Sequence, residues 1–140
     1  MAITLSPYLN FRDQAEAAVT FYHSVTGGDL TMSRYSEFGV SDDPAEGDKI
    51  MHAQLILPSG LILMAADVPN RMEHARGVND ASVALFGDDE EELTRLYEGL
   101  SEGGTIGEPL AKAPWGDSFG SFTDRFGVDW LVNISPASRD

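Results

Sequence analysis

Apolar residues recur along this chain in two rhythms, one of period two and one of three to four, and the same succession occurs twice. Residues 3–9 alternate apolar and polar, as a strand with one buried side does. Asp13 then offers a helix cap, and Ala15, Ala18, Val19, Tyr22 and Val25 form one helical stripe that Gly27 and Gly28 stop. Residues 30–38 predict a second strand, followed by an acidic loop with Pro44 and Gly47. Residues 49–57 and 61–65 predict a hairpin about Pro58, Ser59 and Gly60. Residues 67–77 hold Pro69, Asn70 and mixed charges and read as a linker. A fifth strand is expected over 79–86. Asp88 or Asp89 then caps a helix whose stripe is Leu93, Leu96, Tyr97 and Leu100, and Gly103 and Gly104 end it. Strands over 105–113, 118–123 and 128–134 complete the second half, with Pro136 after them. Each half reads β-α-β-β-β.

The two halves also share residues. Asp13, Glu16, Tyr22 and Gly28 recur 75 positions later as Asp88, Glu91, Tyr97 and Gly103, with Val25/Leu100 and Thr26/Ser101 as near matches. Ordinary residue usage gives roughly one identity in such a window. The expected fold is α+β, one domain over 1–140 made of two βαβββ modules. Module one covers about 1–66, a linker about 67–78 and module two about 79–135. Side by side, the modules would form a curved mixed sheet with helices outside and a cleft inside.

Strand alternation separates two kinds of face. Val128, Trp130, Val132 and Ile134 oppose Asp129, Leu131 and Asn133; Met51, Ala53, Leu55 and Leu57 oppose Ile50, His52, Gln54 and Ile56. Ala81, Val83 and Leu85 oppose Asp80, Ser82 and Ala84; Ile3, Leu5 and Leu9 oppose Thr4, Ser6 and Tyr8. The apolar sets suit packing under a helix. The mixed sets suit a cavity wall or plain solvent.

Charge narrows the function classes. With 23 acidic and 9 basic side chains the formal charge is −14, which repels nucleic-acid phosphates. No nucleic-acid partner is expected. The acid is concentrated at 41–48 and 88–92, and the second run opens a helix, where the dipole favours it. No apolar run reaches 18 residues, so no membrane partner is expected, and residues 1–9 do not read as a secretory signal. The absence of cysteine fits a cytoplasmic protein.

Several phrases carry a resemblance. They are Ser6-Pro7-Tyr8-Leu9-Asn10-Phe11, Phe21-Tyr22, Met51-His52-Ala53 and the run from Trp115 through Asp117, Phe119 and Asp124 to Ile134. With the repeated plan, they resemble the vicinal oxygen chelate superfamily of glyoxalase I, bleomycin-resistance proteins and extradiol dioxygenases, and within it the PhnB-like branch. The resemblance implies paired βαβββ modules, a homodimer and clefts at module junctions. Metal enzymes of the superfamily place one His, Glu or similar ligand on each of four strands. The matching positions here are Ser6, Leu63 or Met64, Ser82 and Leu131. Hydroxyl, hydrocarbon and thioether groups are not the donors a divalent metal selects, so no metal and no cofactor are expected. Some PhnB-like sequences carry a ubiquinone-pathway methyltransferase label. Such an enzyme wants a glycine-rich turn from strand to helix, whereas the glycine pairs here follow helices.

The candidate chemistry is sparse. His23 reads as a helix-surface residue and His74 as a solvated linker residue. His52 lies mid-strand beside Gln54 on the mixed face; it is either a hydrogen-bonded structural histidine or a general base. Trp115 either anchors its loop on the core or offers an indole to a planar ligand. Asp117 makes a turn bond or orients a ligand donor, while Asn133 and Tyr8 can hydrogen-bond a ligand. Asp67 and residues 124–127 read as turns. No Ser-His-Asp spacing, phosphate loop or carboxylate pair stands out. The expected function is metal-free binding of a small organic molecule by Tyr8, His52, Gln54, Trp115, Asp117 and Asn133. The alternative is a metal-independent lyase or isomerase with His52 as base, and the residues leave open whether any reaction is catalysed.

Overall fold

The computed structural model describes residues 3–38, 46–69, 72–75, 77 and 80–135. The elements run β1 (Tyr8–Phe11), α1 (Ala15–Thr26), β2 (Asp29–Arg34), α2 (Tyr35–Phe38), β3 (Ile50–Ile56) and β4 (Ile62–Asp67). They continue with β5 (Val83–Gly87), α3 (Glu90–Ser101), β6 (Thr105–Lys112), β7 (Ser118–Thr123) and β8 (Asp129–Ile134). The chain divides into two compact units, Met1–Ala75 and Arg76–Asp140. Each unit holds a four-stranded mixed sheet, ordered β1-β4-β3-β2 in the first and β5-β8-β7-β6 in the second. In each, the first strand pairs in parallel with the fourth and the remaining neighbours are antiparallel. The fold is α+β, built from two βαβββ modules of identical strand order.

The repeat has two registers. The 12-residue helices α1 and α3 start 75 positions apart, matching the sequence offset. The first strands, β1 and β5, are 76 apart: the Val68 N–H donates to the Phe11 carbonyl at 2.7 Å, and the Ser135 N–H to that of Gly87 at 2.8 Å. The link between β1 and α1 therefore holds one residue more than that between β5 and α3. Asp13, with φ of 64°, lies in the longer link.

That extra residue changes how α1 is capped. Asp13 does not cap it, contrary to the sequence expectation; Gln14 occupies the cap position without a side-chain bond. Asp13 instead pairs with Lys49, Oδ1 to Nζ at 2.7 Å. The cap comes from Asp67 at the end of β4, which is a strand residue rather than the expected turn. Its Oδ1 accepts the Ala15 N–H and its Oδ2 the Ile50 N–H, each at 2.9 Å, with the residue only 4% exposed. The Tyr35 hydroxyl donates to the Asp67 carbonyl at 2.9 Å. One carboxylate thus joins the starts of α1 and β3 to the end of β4. In the second unit the cap is local: Asp89 Oδ1 accepts the Glu92 N–H at 3.2 Å.

The helices bury the stripes their periodicity predicts. Ala15, Ala18, Val19 and Tyr22 lie buried with Phe11, Ala53, Leu55, Leu63 and Ala65, whereas Val25 at the end of the stripe is only half-buried. In the second unit Leu93, Leu96, Tyr97 and Leu100 are buried with Phe122, Trp130 and Val132. Tyr97 meets Phe122 edge-on at 5.3 Å, and Phe122 stacks on Trp130 at 6.2 Å. Burial pushes the Tyr97 hydroxyl above its usual pKa, and that hydroxyl donates to the Glu108 carbonyl. The two helix-stop glycines have a second role. A Cβ on Gly28 or on Gly104 would stand 2.1 Å from the carbonyl oxygen of Ile56 or of Thr123, so β2 and β6 begin where only glycine fits.

Other expectations need correction. The first strand begins at Tyr8, not at residue 3, and Ile3 and Leu5 are 98% and 100% exposed. Pro7 has no N–H for a ladder; its carbonyl accepts the Met64 N–H, and residues 3–7 add no strand pairing. The second strand stops at Arg34, where the Glu37 carboxylate takes the Arg34 N–H and residues 35–38 turn helical. A bulge follows in β3: Ser33 faces His52 and Arg34 faces Ile50, leaving Met51 as the extra residue. Parity therefore reverses, and Ile50 points into the core with 0% exposure instead of sharing the His52 face. The fifth strand begins at Val83, with Ala81 and Ser82 exposed before it. Of the expected linker, Val68 is buried, and the Arg12 guanidinium donates to the Val68 and Pro69 carbonyls at 3.1 and 2.9 Å. Pro44, Asn70, Asn79 and Pro136 lie outside the described residues.

Replacing Asp67 by Ala leaves two N–H groups without their acceptor in a buried place. It should cost roughly 2–5 kcal/mol in urea unfolding, against about 0.5–2 kcal/mol for Asp89→Ala at the exposed local cap. Equal costs for the two would contradict the role assigned to Asp67.

Candidate functional site

Because α1 covers one face of the first sheet, alternation sends a second set of side chains to the other. The register sets Tyr8, Met64, Gln54 and Thr31 in one row across β1, β4, β3 and β2. His52 lies two residues before Gln54 on that face, opposite Ser33. The Tyr8 and His52 rings are 5.9 Å apart and tilted by 53°. His52 and Gln54 are half-buried and Tyr8 is 47% exposed. Among the described residues, no hydrogen bond engages the His52 imidazole, the Gln54 amide or the Tyr8 hydroxyl. Three groups able to donate and accept thus share a surface with no partner of their own.

The second sheet has a comparable face away from α3. Phe86, Asn133, Phe119 and Ala111 form a row across β5, β8, β7 and β6. Asn133 Nδ2 donates to Asp117 Oδ2 at 3.1 Å, and Ser135 Oγ donates to the same oxygen at 3.4 Å. Asp117 closes the β6–β7 turn as well, its carbonyl accepting the Ala113 N–H at 2.6 Å. Trp115 stands at the tip of that turn, before Gly116 with φ of 105°. Its indole is 69% exposed, so the loop is not anchored on the core through it. Tyr8, His52 and Gln54 are brought together in the first unit, and Asp117 and Asn133 in the second, with Trp115 two positions before Asp117.

Several residues escaped the sequence reading. Phe86 and Phe119 flank Asn133; the alternation that exposes Ala84 also placed Phe86 on the mixed side, where it is 77% exposed. Asp124, read as part of a turn, is also a buried anchor. Its Oδ1 accepts the N–H groups of Phe126 and Val128, and its Oδ2 accepts Trp130 Nε1 at 2.8 Å. His23 is half-buried rather than a plain surface residue, with Nε2 3.0 Å from the Gly28 carbonyl oxygen, and His74 is half-buried too. The shifted carboxylates lie elsewhere: Arg34 holds Glu16, and Arg95 holds Glu92, below the usual range.

The four positions that match metal ligands in the resembled superfamily do not fit a divalent metal. Ser6 Oγ donates to the carbonyls of Ile62 and Pro7, each at 2.9 Å. Of the two candidates on β4, Met64 lies in the Tyr8 and Gln54 row and Leu63 is buried in the core. Ser82 precedes β5, and Leu131 lies between Ala84 and Ser121. Among the described residues no three His, Cys, Asp or Glu side chains gather closely enough to hold a metal ion. No described helix is long and apolar enough to cross a membrane.

The chain is similar to known proteins in sequence and in fold. The chain is 28% identical to Protein YjdN of Escherichia coli strain K12, over 93% of this chain and 94% of that one. The crystal structure of protein PA1353 from Pseudomonas aeruginosa superposes with a TM-score of 0.81 at 40% identity, covering 97% and 100% of the two chains. The PhnB protein from Bacillus cereus, described as a putative 3-demethylubiquinone-9 3-methyltransferase, gives 0.74 at 26% identity, covering 95% and 100%. The profile of the Glyoxalase/Bleomycin resistance protein/Dioxygenase superfamily matches residues 4–132, and the chain belongs to that superfamily.

Proposed function

We propose that this protein binds a small organic molecule without a metal ion, and that each unit offers a candidate surface for it: Tyr8, His52 and Gln54 on the first sheet, and Trp115, Asp117 and Asn133 on the second. The observation that carries the reading is the uncommitted set on the first sheet. An imidazole, a primary amide and a phenol sit together without hydrogen-bond partners among the described residues, two of them half-buried. Half-buried polar groups with no partner in the protein are met by water, which a ligand can displace. Here a ligand would complete them, while Met64 and Ile56 supply apolar area.

The methyltransferase description of the Bacillus relative does not transfer. The links from β1 to α1 and from β5 to α3 lack the glycine-rich turn that a methyl donor's ribose and backbone would need. We also propose a homodimer, on the superfamily's usual assembly, and a cytoplasmic location, on the cysteine-free composition. Light scattering should give twice 15.2 kDa; a monomer mass would reject the dimer. Elemental analysis of the purified protein should find no stoichiometric Mg, Mn, Fe, Ni or Zn. A full metal equivalent that tracks activity would overturn the metal-free reading.

A second reading makes His52 the general base of a metal-independent lyase or isomerase, since no bond from the described residues locks its ring nitrogens. His52→Asn and a thermal-shift screen of metabolites and antibiotics separate the two. A binder should lose affinity for its hits in His52→Asn and Gln54→Ala, with no turnover to lose. An enzyme should lose roughly 10²-fold in kcat while largely keeping affinity. Hits that bind both variants as tightly as the native chain would reject this face as the site.

A further inference from the structure

We infer that the face of the second sheet away from α3 accepts an organic cation, a protonated or quaternary amine carrying an apolar or aromatic body. The inference rests on the ligand-binding reading above and names the chemical class of the ligand. Its starting point is the bond between Asn133 and Asp117. An ionised carboxylate can only accept, so the amide turns Nδ2 toward it, spends one of its two N–H groups there, and leaves Oδ1 and the second N–H to a ligand. Ser135 Oγ spends its one proton on the same carboxylate oxygen. The second carboxylate oxygen of Asp117 has no partner among the described residues, and no Lys, Arg or His there forms an ion pair with it. The acceptors left to a ligand are therefore the second Asp117 oxygen, which carries charge, Asn133 Oδ1 and the Ser135 Oγ lone pairs, against one remaining donor in this group, the second Asn133 N–H.

Aromatic rings border those acceptors. Phe86 and Phe119 are the two sheet neighbours of Asn133, and Trp115 stands two positions before Asp117 in the same turn. Phe86 and Trp115 are 77% and 69% exposed, so their π-faces are open to a ligand. Aromatic faces attract ammonium groups, and a carboxylate beside them adds to the attraction. An anion meets that carboxylate and a chain of formal charge −14, while a neutral acceptor could use the second Asn133 N–H and the Trp115 indole N–H but leaves the carboxylate charge unanswered. The chemistry that satisfies acceptors and rings together is a cation with an apolar body.

The test is an NMR titration of the full ¹⁵N-labelled chain near physiological salt, following the Asn133 side-chain amide and the Trp115 indole N–H. Benzyltrimethylammonium should give saturable shifts at both, bind about tenfold more tightly than benzyl alcohol, and leave benzoate without effect. Asp117→Asn should weaken the cation about tenfold. Asp88→Asn, the same charge change at an exposed position before α3, should leave it unchanged. Should Asp117→Asn fail to fold, Trp115→Ala carries the test, with affinity expected to fall at least roughly threefold. Absence of saturation, equal affinity for benzyl alcohol, or equal loss in Asp88→Asn would each overturn the assignment. A neutral screening hit that depends on His52, together with no cation binding, would overturn this inference while leaving the ligand-binding reading in place.

Discussion

Everything on the ligand side of this molecule follows from one geometric constraint: each sheet gives one face to a helix, and a strand can only alternate. Once Ala53, Leu55, Leu63 and Ala65 are committed beneath α1, His52, Gln54 and Met64 must point the other way. Once Trp130, Val132 and Ile134 are buried in the second unit, Leu131 and Asn133 must face away. The bulge at Met51 matters for the same reason. It lets Ile50 enter the core and bring its N–H to Asp67 without moving His52 off the Gln54 face. Packing and chemistry are thereby separated residue by residue along the same strands.

Two structural carboxylates hold the ends of these strands. Asp67 closes the first unit by tying α1 and β3 to β4, and Asp124 closes the β7–β8 turn of the second and takes the Trp130 indole N–H. Both are almost fully buried with both oxygens bonded, which sets them apart from Asp117, half-buried with a single oxygen engaged. In a chain so rich in acid, commitment rather than residue type separates a structural carboxylate from one left for a ligand.

The helices, the hairpin at Gly60 and the repeated module were legible in sequence, because each is written in local periodicity and turn residues. The stripe of α3 matched residue for residue, and its offset from α1 is the sequence offset of 75. What could not be read depends on residues far apart. The cap of α1 comes from 52 positions away, and the partner of Asp117 from 16. The offset of 76 between β1 and β5 was masked because no shared residue lies on those strands. Ile3 and Leu5 alternate like a strand, but alternation says nothing of whether a partner strand is present. For the site, parity placed Gln54, His52 and Asn133 correctly on the mixed faces, yet it could not say which polar groups were already bonded. Only the register and the hydrogen bonds do.

Membership in the superfamily fixes the scaffold and leaves the chemistry to the side chains it carries. Ser6, Met64, Ser82 and Leu131 offer hydroxyl, thioether and hydrocarbon rather than the donors a divalent metal selects, so the proposed recognition is assigned to amide, imidazole, carboxylate and aromatic groups. The most direct measurement is a crystal structure of the protein with its tightest-binding small molecule. The account predicts electron density for that molecule against His52 and Gln54 or against Asn133 and Asp117, with no ion at Ser6, Met64, Ser82 or Leu131. A molecule seated on the helices, or a metal held by those four residues, would contradict it.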